Sequence, residues 1–135
     1  MSEENVEVVK RMLAAFRAEP QRAWREFFVP DAVHDMSTVA GWPERAEYRG
    51  FDEFLEFLAD WTEPYDDWSY ELETAVGAGG DEVVATLYQH GKLRGSDSWA
   101  DLHYGIVYTV ESGLISRAQV YTSAEEALEA AGLSE

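Results

Sequence analysis

Apolar positions recur at two different periods, and the change of period divides the chain. Val6, Val9, Leu13 and Phe16 stand three or four residues apart, with Met12 beside them. That spacing predicts an amphipathic helix running to about Ala18. Ser2 followed by Glu3 and Glu4 reads as its start, a capping hydroxyl and then acids in the positive first turn. Pro20 suits the first position of a second, shorter helix with Ala23, Trp24, Phe27 and Phe28 on its apolar face. Pro30 lacks an N–H and disfavours helical geometry for its predecessor, so that helix should close at Phe28-Val29. Pro30-Asp31 should turn the chain, and Ala32 to Asp35 should begin a first strand ending on the ionisable pair His34-Asp35. Neighbours on a strand point to opposite faces, so only one of that pair can face a given interior. Residues 36–50 have Gly, Pro and no clear period, and a loop of that length in a compact domain is often functional. Phe51, Phe54, Leu55, Leu58 and Trp61 mark a third helix, ended by Glu63-Pro64.

From Trp68 onward the period falls to two. Trp68, Tyr70 and Leu72 alternate with Ser69, Glu71 and Glu73, as expected of a strand near a sheet edge. Glu82 to Gly91 is β-rich on both faces, and Ser98 to Val110 sets Leu102, Tyr104, Ile106 and Tyr108 opposite His103, Gly105, Val107 and Thr109. Glu111-Ser112-Gly113 makes a tight hairpin into a strand from Leu114 to Tyr121. Ser123-Ala124-Glu125-Glu126 is a capping box for a last helix that Gly132 stops. Helices first and then a four-strand meander predict an α+β fold, a curved antiparallel sheet with three N-terminal helices packed on its concave face. Central strands apolar on both faces need a second cover, and a second copy of the chain is the simplest one, so a homodimer through the sheet is expected.

Composition narrows the function classes. The 135 residues fit one domain, 1–135, with a real core. A formal net charge of −17 repels nucleic acid and anionic membranes. There is no cysteine, hence no disulfide, thiolate nucleophile or cysteine metal site. The acidic start lacks the apolar core of a secretory signal, and no apolar run approaches the roughly 20 residues of a membrane span, so the expected location is cytoplasmic. The three histidines have no helical ligand spacing, so neither a metal nor a cofactor is expected.

The order and spacing of these segments resemble the nuclear transport factor 2-like superfamily. The resemblance rests on Met12-Leu13-Ala14-Ala15-Phe16 and on Phe27-Phe28 followed by Pro30-Asp31-Ala32-Val33-His34-Asp35. Further matches are Tyr48-Arg49-Gly50-Phe51-Asp52-Glu53-Phe54 and the hairpin from Val107 to Ile115 leading to Val120-Tyr121. The tail from Glu125 to Leu133 is similar to tails of SnoaL-like bacterial proteins. The superfamily shares a cone-shaped α+β fold among ketosteroid isomerase, scytalone dehydratase, limonene epoxide hydrolase and the SnoaL-like polyketide cyclases. What the resemblance implies is an apolar pocket between the sheet and the first helices, with Asp35 at the place of the proton-shuttling Asp of ketosteroid isomerase. The second acid of that enzyme would fall near His103-Tyr104-Gly105, and the late acid of the cyclases near Ala118-Gln119-Val120, where this chain has none.

Asp35 is therefore the candidate catalytic residue. A carboxylate facing an apolar cavity is desolvated and becomes a better proton shuttle. The plainer alternative is a strand-end Asp that caps the next turn or pairs with an Arg such as Arg49. Candidate ligand-binding residues are Trp42, Tyr48, Trp61, Tyr88, His90, His103 and Tyr104. His90 and His103 lie on neighbouring strands, as pocket groups or as two satisfied sheet histidines. His34, of opposite parity to Asp35, is expected at the rim or exposed. Two functions stay open: proton transfer on a small apolar substrate, of the isomerase, dehydratase, cyclase or epoxide hydrolase type, or a non-catalytic ligand-binding or dimerisation module.

Overall fold

In the computed structural model, which describes residues 2–39, 42 and 45–133, the N-terminal stripe becomes α1 (Ser2–Ala18) and Pro20 opens α2 (Pro20–Phe27). The capping role of the Ser2 side chain lies outside the described residues. The chain then passes straight into β1 (Phe28–Asp35). The expected turn at Pro30-Asp31 is instead part of this strand, whose register against its neighbour shifts between Phe28 and Val33. A strand irregularity accommodates a residue without an N–H, and the fixed φ of proline is compatible with extended backbone. Within the expected loop, Glu47–Arg49 forms a short strand β2, antiparallel to β1. Ala40, Gly41, Pro43 and Glu44 of that loop lie outside the described residues.

Gly50, at φ +81°, opens α3 (Gly50–Thr62), and the Glu53 carboxylate accepts a hydrogen bond from the Arg49 N–H at 2.6 Å. Four long strands follow: β3 (Tyr65–Gly77), β4 (Glu82–Leu93), β5 (Trp99–Glu111) and β6 (Leu114–Tyr121). The last helix is α4 (Ala124–Ala130), and the Ser123 hydroxyl caps it by accepting from the Glu126 N–H at 3.1 Å. The strands make one curved, unclosed sheet in the order β2-β1-β6-β5-β4-β3. All its neighbours are antiparallel except β1 and β6, which run parallel.

The N-terminal helices pack on the concave face. Val9, Met12 and Leu13 of α1, Trp24 of α2 and Phe54 and Phe57 of α3 share one core with Leu87, Tyr104, Ile106, Tyr108 and Val120 of the sheet. On the other face α4 covers Val84 and Val107 through Ala127. Gly105 permits this close approach, since a Cβ there would stand 2.5 Å from the Ala127 Cβ.

Candidate ligand cavity

A cavity of ≈ 90 Å³ lies between the concave face and helices α1 and α3. Met12, Leu13 and Phe16 of α1 roof one side, and Phe54, Phe57, Leu58 and Trp61 of α3 roof the other. Its floor comes from alternate residues of the strands: Trp68 and Tyr70, Leu87, then Tyr104, Ile106 and Tyr108, then Ala118 and Val120. Period-two alternation sends each of these residues to the same face. Ligand pockets commonly measure about 300–1,000 Å³. A dry apolar cavity of about 150 Å³ takes benzene. The space here is nearer the second figure and below it, too small for a polycycle.

One imidazole belongs to this wall. His34 is 7% exposed, its ring centroid 4.1 Å from that of Phe57 and 5.2 Å from that of Phe54. Its Nε2 is buried with no hydrogen-bond partner among the described residues. Burial among aromatics lowers its pKa to about 3, with the nearby Asp35 charge only partly opposing the shift, so the ring is neutral at pH 7. Burial likewise raises the phenols of Tyr104 and Tyr108, which stay protonated.

Asp35 faces the other way. Expected on the cavity side, it stands opposite Gln119 and Glu47 in the sheet register, whereas His34 stands opposite Ala118 and Tyr48, whose side chains belong to the concave core. The Asp35 side chain is 4% exposed and is held by Arg117, while its Oδ1 accepts from the Ser37 N–H at 2.8 Å. Arg117 also lies 3.6 Å from Glu47. The plainer alternative, an ion pair joined to a turn cap, describes these contacts, with Arg117 rather than Arg49 as the cation. The expected parity was counted from the superfamily position of the acid. The strand's own pattern carries the correct one, because Phe28, Ala32, His34 and Met36 fall on one parity and all but the histidine are core hydrophobics.

Of the remaining candidates, Trp61 and Tyr104 line the cavity. Trp42 packs on Phe57 and Trp61 with centroids 5.8 Å apart, and its Nε1–H donates to the Tyr48 hydroxyl at 3.3 Å. Tyr48 is buried, 3.4 Å from Asp60. These two brace α3 rather than wall the cavity. Tyr88, His90 and His103, candidates for ligand binding, stand instead on the outer face of the sheet by strand parity, and of the two readings of His90 and His103 the one as satisfied sheet histidines describes them. There His90 pairs with Asp101 and stacks on Trp99 at 4.3 Å, and His103 pairs with Glu73 at 3.0 Å. Trp68, Tyr70 and Tyr108 line the cavity without having been singled out, although all three sit on the apolar parity of their strands. No group of three or more His, Asp and Glu side chains among the described residues is placed to hold a metal ion.

A cone of helices on a curved sheet around an apolar cavity defines a nuclear transport factor 2-like fold. The chain belongs to the SnoaL-like domain family, whose model matches residues 9–118. Solved structures agree on the fold. TerC, co-crystallised with polyporic acid, superposes with a TM-score of 0.73 at 19% identity over 96% of this chain and 98% of its own. A nuclear transport factor 2-like protein of unknown function from Burkholderia pseudomallei gives a TM-score of 0.72 at 14% identity, covering 93% and 95%. A protein with a ketosteroid isomerase-like fold from Catenulispora acidiphila, in complex with trimethylamine, gives 0.67 at 19%, covering 94% and 93%. No curated protein matches the chain. No helix among the described residues is long and apolar enough to cross a membrane.

Proposed function

We propose that this chain binds a compact, mostly apolar ring-sized molecule in the cavity without turning it over, with His34 as the polar anchor. The observation that carries the reading is a neutral imidazole whose buried Nε2 has no hydrogen-bond partner among the described residues, set in an otherwise aromatic and aliphatic wall. A polar group on the ligand that pairs with this ring relieves an unsatisfied buried nitrogen, which raises affinity more than the same contact made in water. Proton transfer near pH 7 works best with a group whose pKa lies near 7. The cavity offers an imidazole lowered to about 3 and phenols raised above their usual 10, and its wall contains no carboxylate. Each group is therefore poorly matched to general acid/base work, and this favours binding over the isomerase and cyclase chemistries.

The test is a pair of ring-sized probes, benzene and phenol, titrated against the protein and its His34→Leu variant by NMR. Both probes should perturb the methyl signals of Leu87 and Ile106. Phenol should lose roughly tenfold in affinity relative to benzene in the variant, the scale of one hydrogen bond to a buried group. Probe signals confined to the outer face would refute the cavity as the site. Turnover of any small carbonyl or epoxide compound that disappears in Asp35→Asn with the fold intact would restore the enzyme reading.

A further inference from the structure

Gln89, on β4, is 2% exposed and faces the concave side at the α3 end of the cavity. Its side-chain oxygen accepts from the Trp61 Nε1–H at 2.7 Å and from the Trp68 Nε1–H at 3.0 Å. Its Nε2 donates to the Tyr65 hydroxyl at 3.2 Å. An indole nitrogen only donates, so the amide orientation is fixed by its neighbours. Both indoles line the cavity. Gly91, two residues along the same face, lets this arrangement close, because a Cβ there would fall 2.4 Å from the Tyr65 ring. Tyr65 can thus lie flat over the strand and reach Gln89.

We infer that Gln89 is a specificity-determining residue that ties both indole N–H groups back into the protein and so removes two hydrogen-bond donors from the cavity wall. This rests on the cavity being the ligand site, and it adds the class of molecule rejected there. A donor left free in an apolar cavity selects ligands that carry an acceptor, since it is otherwise unpaired. With Gln89 occupying both indoles, the end of the cavity beneath α3 accepts hydrocarbon surface. A ligand acceptor is left with the His34 ring and the protonated Tyr104 and Tyr108 hydroxyls. The preference for hydrocarbon surface at that end is therefore set by a residue that need not touch the ligand.

Benzene and pyridine have the same shape and differ by one acceptor, which makes them the test pair. In the unaltered protein, the Trp61 and Trp68 indole N–H signals in a ¹⁵N spectrum should sit at the same positions with either probe bound. In Gln89→Met, close in shape but without an amide, pyridine should gain roughly tenfold over benzene and move at least one indole N–H signal downfield. Gln89→Glu keeps an oxygen acceptor and should hold the original preference. An indole signal that responds to pyridine in the unaltered protein overturns the inference without any variant having to fold. An unchanged pyridine-to-benzene ratio in folded Gln89→Met overturns it while leaving the cavity reading intact. If neither probe enters the unaltered protein, the cavity reading fails and the inference falls with it.

Discussion

At the scale of single residues, the adjacent pair His34-Asp35 shows how one step along a strand divides two fates. His34 is neutral in the fold because burial lowers its pKa from 6.5 to about 3. The unfolded chain binds that proton below pH 6.5 while the folded chain does not, so stability falls as pH drops from about 6.5 towards about 3. The contribution is present in full above the unfolded value. Between about pH 7.5 and about pH 5 the loss attributable to this group should be about 2 kcal/mol. His34→Leu should remove that part of the slope, as measured by urea unfolding at both pH values, and an unchanged slope would show that the ring takes up its proton alike in the folded and unfolded chain. Asp35 serves the architecture instead. Its side chain is 4% exposed and that of its partner Arg117 is 39% exposed, so the pair is only partly shielded from water. Asp35→Asn should cost about 1–3 kcal/mol by leaving Arg117 with Glu47 alone and weakening the cap on the Ser37 N–H. Benzene binding should be unaffected, because the carboxylate does not reach the cavity. A stable variant that had lost binding would reverse both assignments.

At the scale of elements, the change of hydrophobic period made most of the architecture legible. The helix stripe of Val6, Val9, Leu13 and Phe16 and the alternation from Trp68 to Val110 each mapped onto an observed element. The short strand β2 was not legible, because three residues carry too little period to register and Tyr48 owes its place to pairing with distant His34. The cavity was legible as an aromatic-rich interior, but its imidazole was not, since the superfamily position points to Asp35 while the parity of Phe28, Ala32 and Met36 points to His34. The Gln89 contacts had no sequence signal at all. They depend on Trp61, Trp68 and Tyr65 converging from two other elements. Helix α4 supplies the prediction at this scale. It rests on the outer face where Gly105 has no side chain, and an added Cβ would meet the Ala127 Cβ at 2.5 Å and the Ala124 Cα at 3.4 Å. Neither contact belongs to a flexible side chain. Gly105→Ala should lift α4 and destabilise the protein by about 1–3 kcal/mol. Hydrogen exchange should accelerate in residues 124–130 while the strands under the cavity keep their protection, and uniform protection would show that the helix adjusts in place.

At the scale of the whole molecule, the outer face and the net charge act against each other. The two-sided apolar pattern of β4 and β5 motivated a dimer, and α4 already covers part of it at Val84 and Val107. What is left uncovered is an aromatic strip, with Trp99 47% exposed, His90 stacked on it at 4.3 Å, and Tyr88 4.9 Å from the His103 ring. Glu71, Glu73 and Asp101 flank that strip, and the chain carries a net charge of −17. Two copies meeting through this face gain aromatic burial but bring like charges together, so the balance depends on screening. The Debye length falls from about 30 Å at 0.01 M salt to about 10 Å at 0.1 M and about 3 Å at 1 M. Dimerisation through the sheet should therefore strengthen with salt, the reverse of an interface held by ion pairs. Sedimentation velocity at about 0.02 M and about 0.5 M sodium chloride should show the dimer fraction rising. Trp99→Asp should hold the protein monomeric at both concentrations without changing its melting temperature by more than a few degrees, as expected for a surface change. A monomer at every salt concentration would leave the strip as ordinary solvated surface. A dimer weakened by salt or untouched by Trp99→Asp would place the interface elsewhere on the molecule.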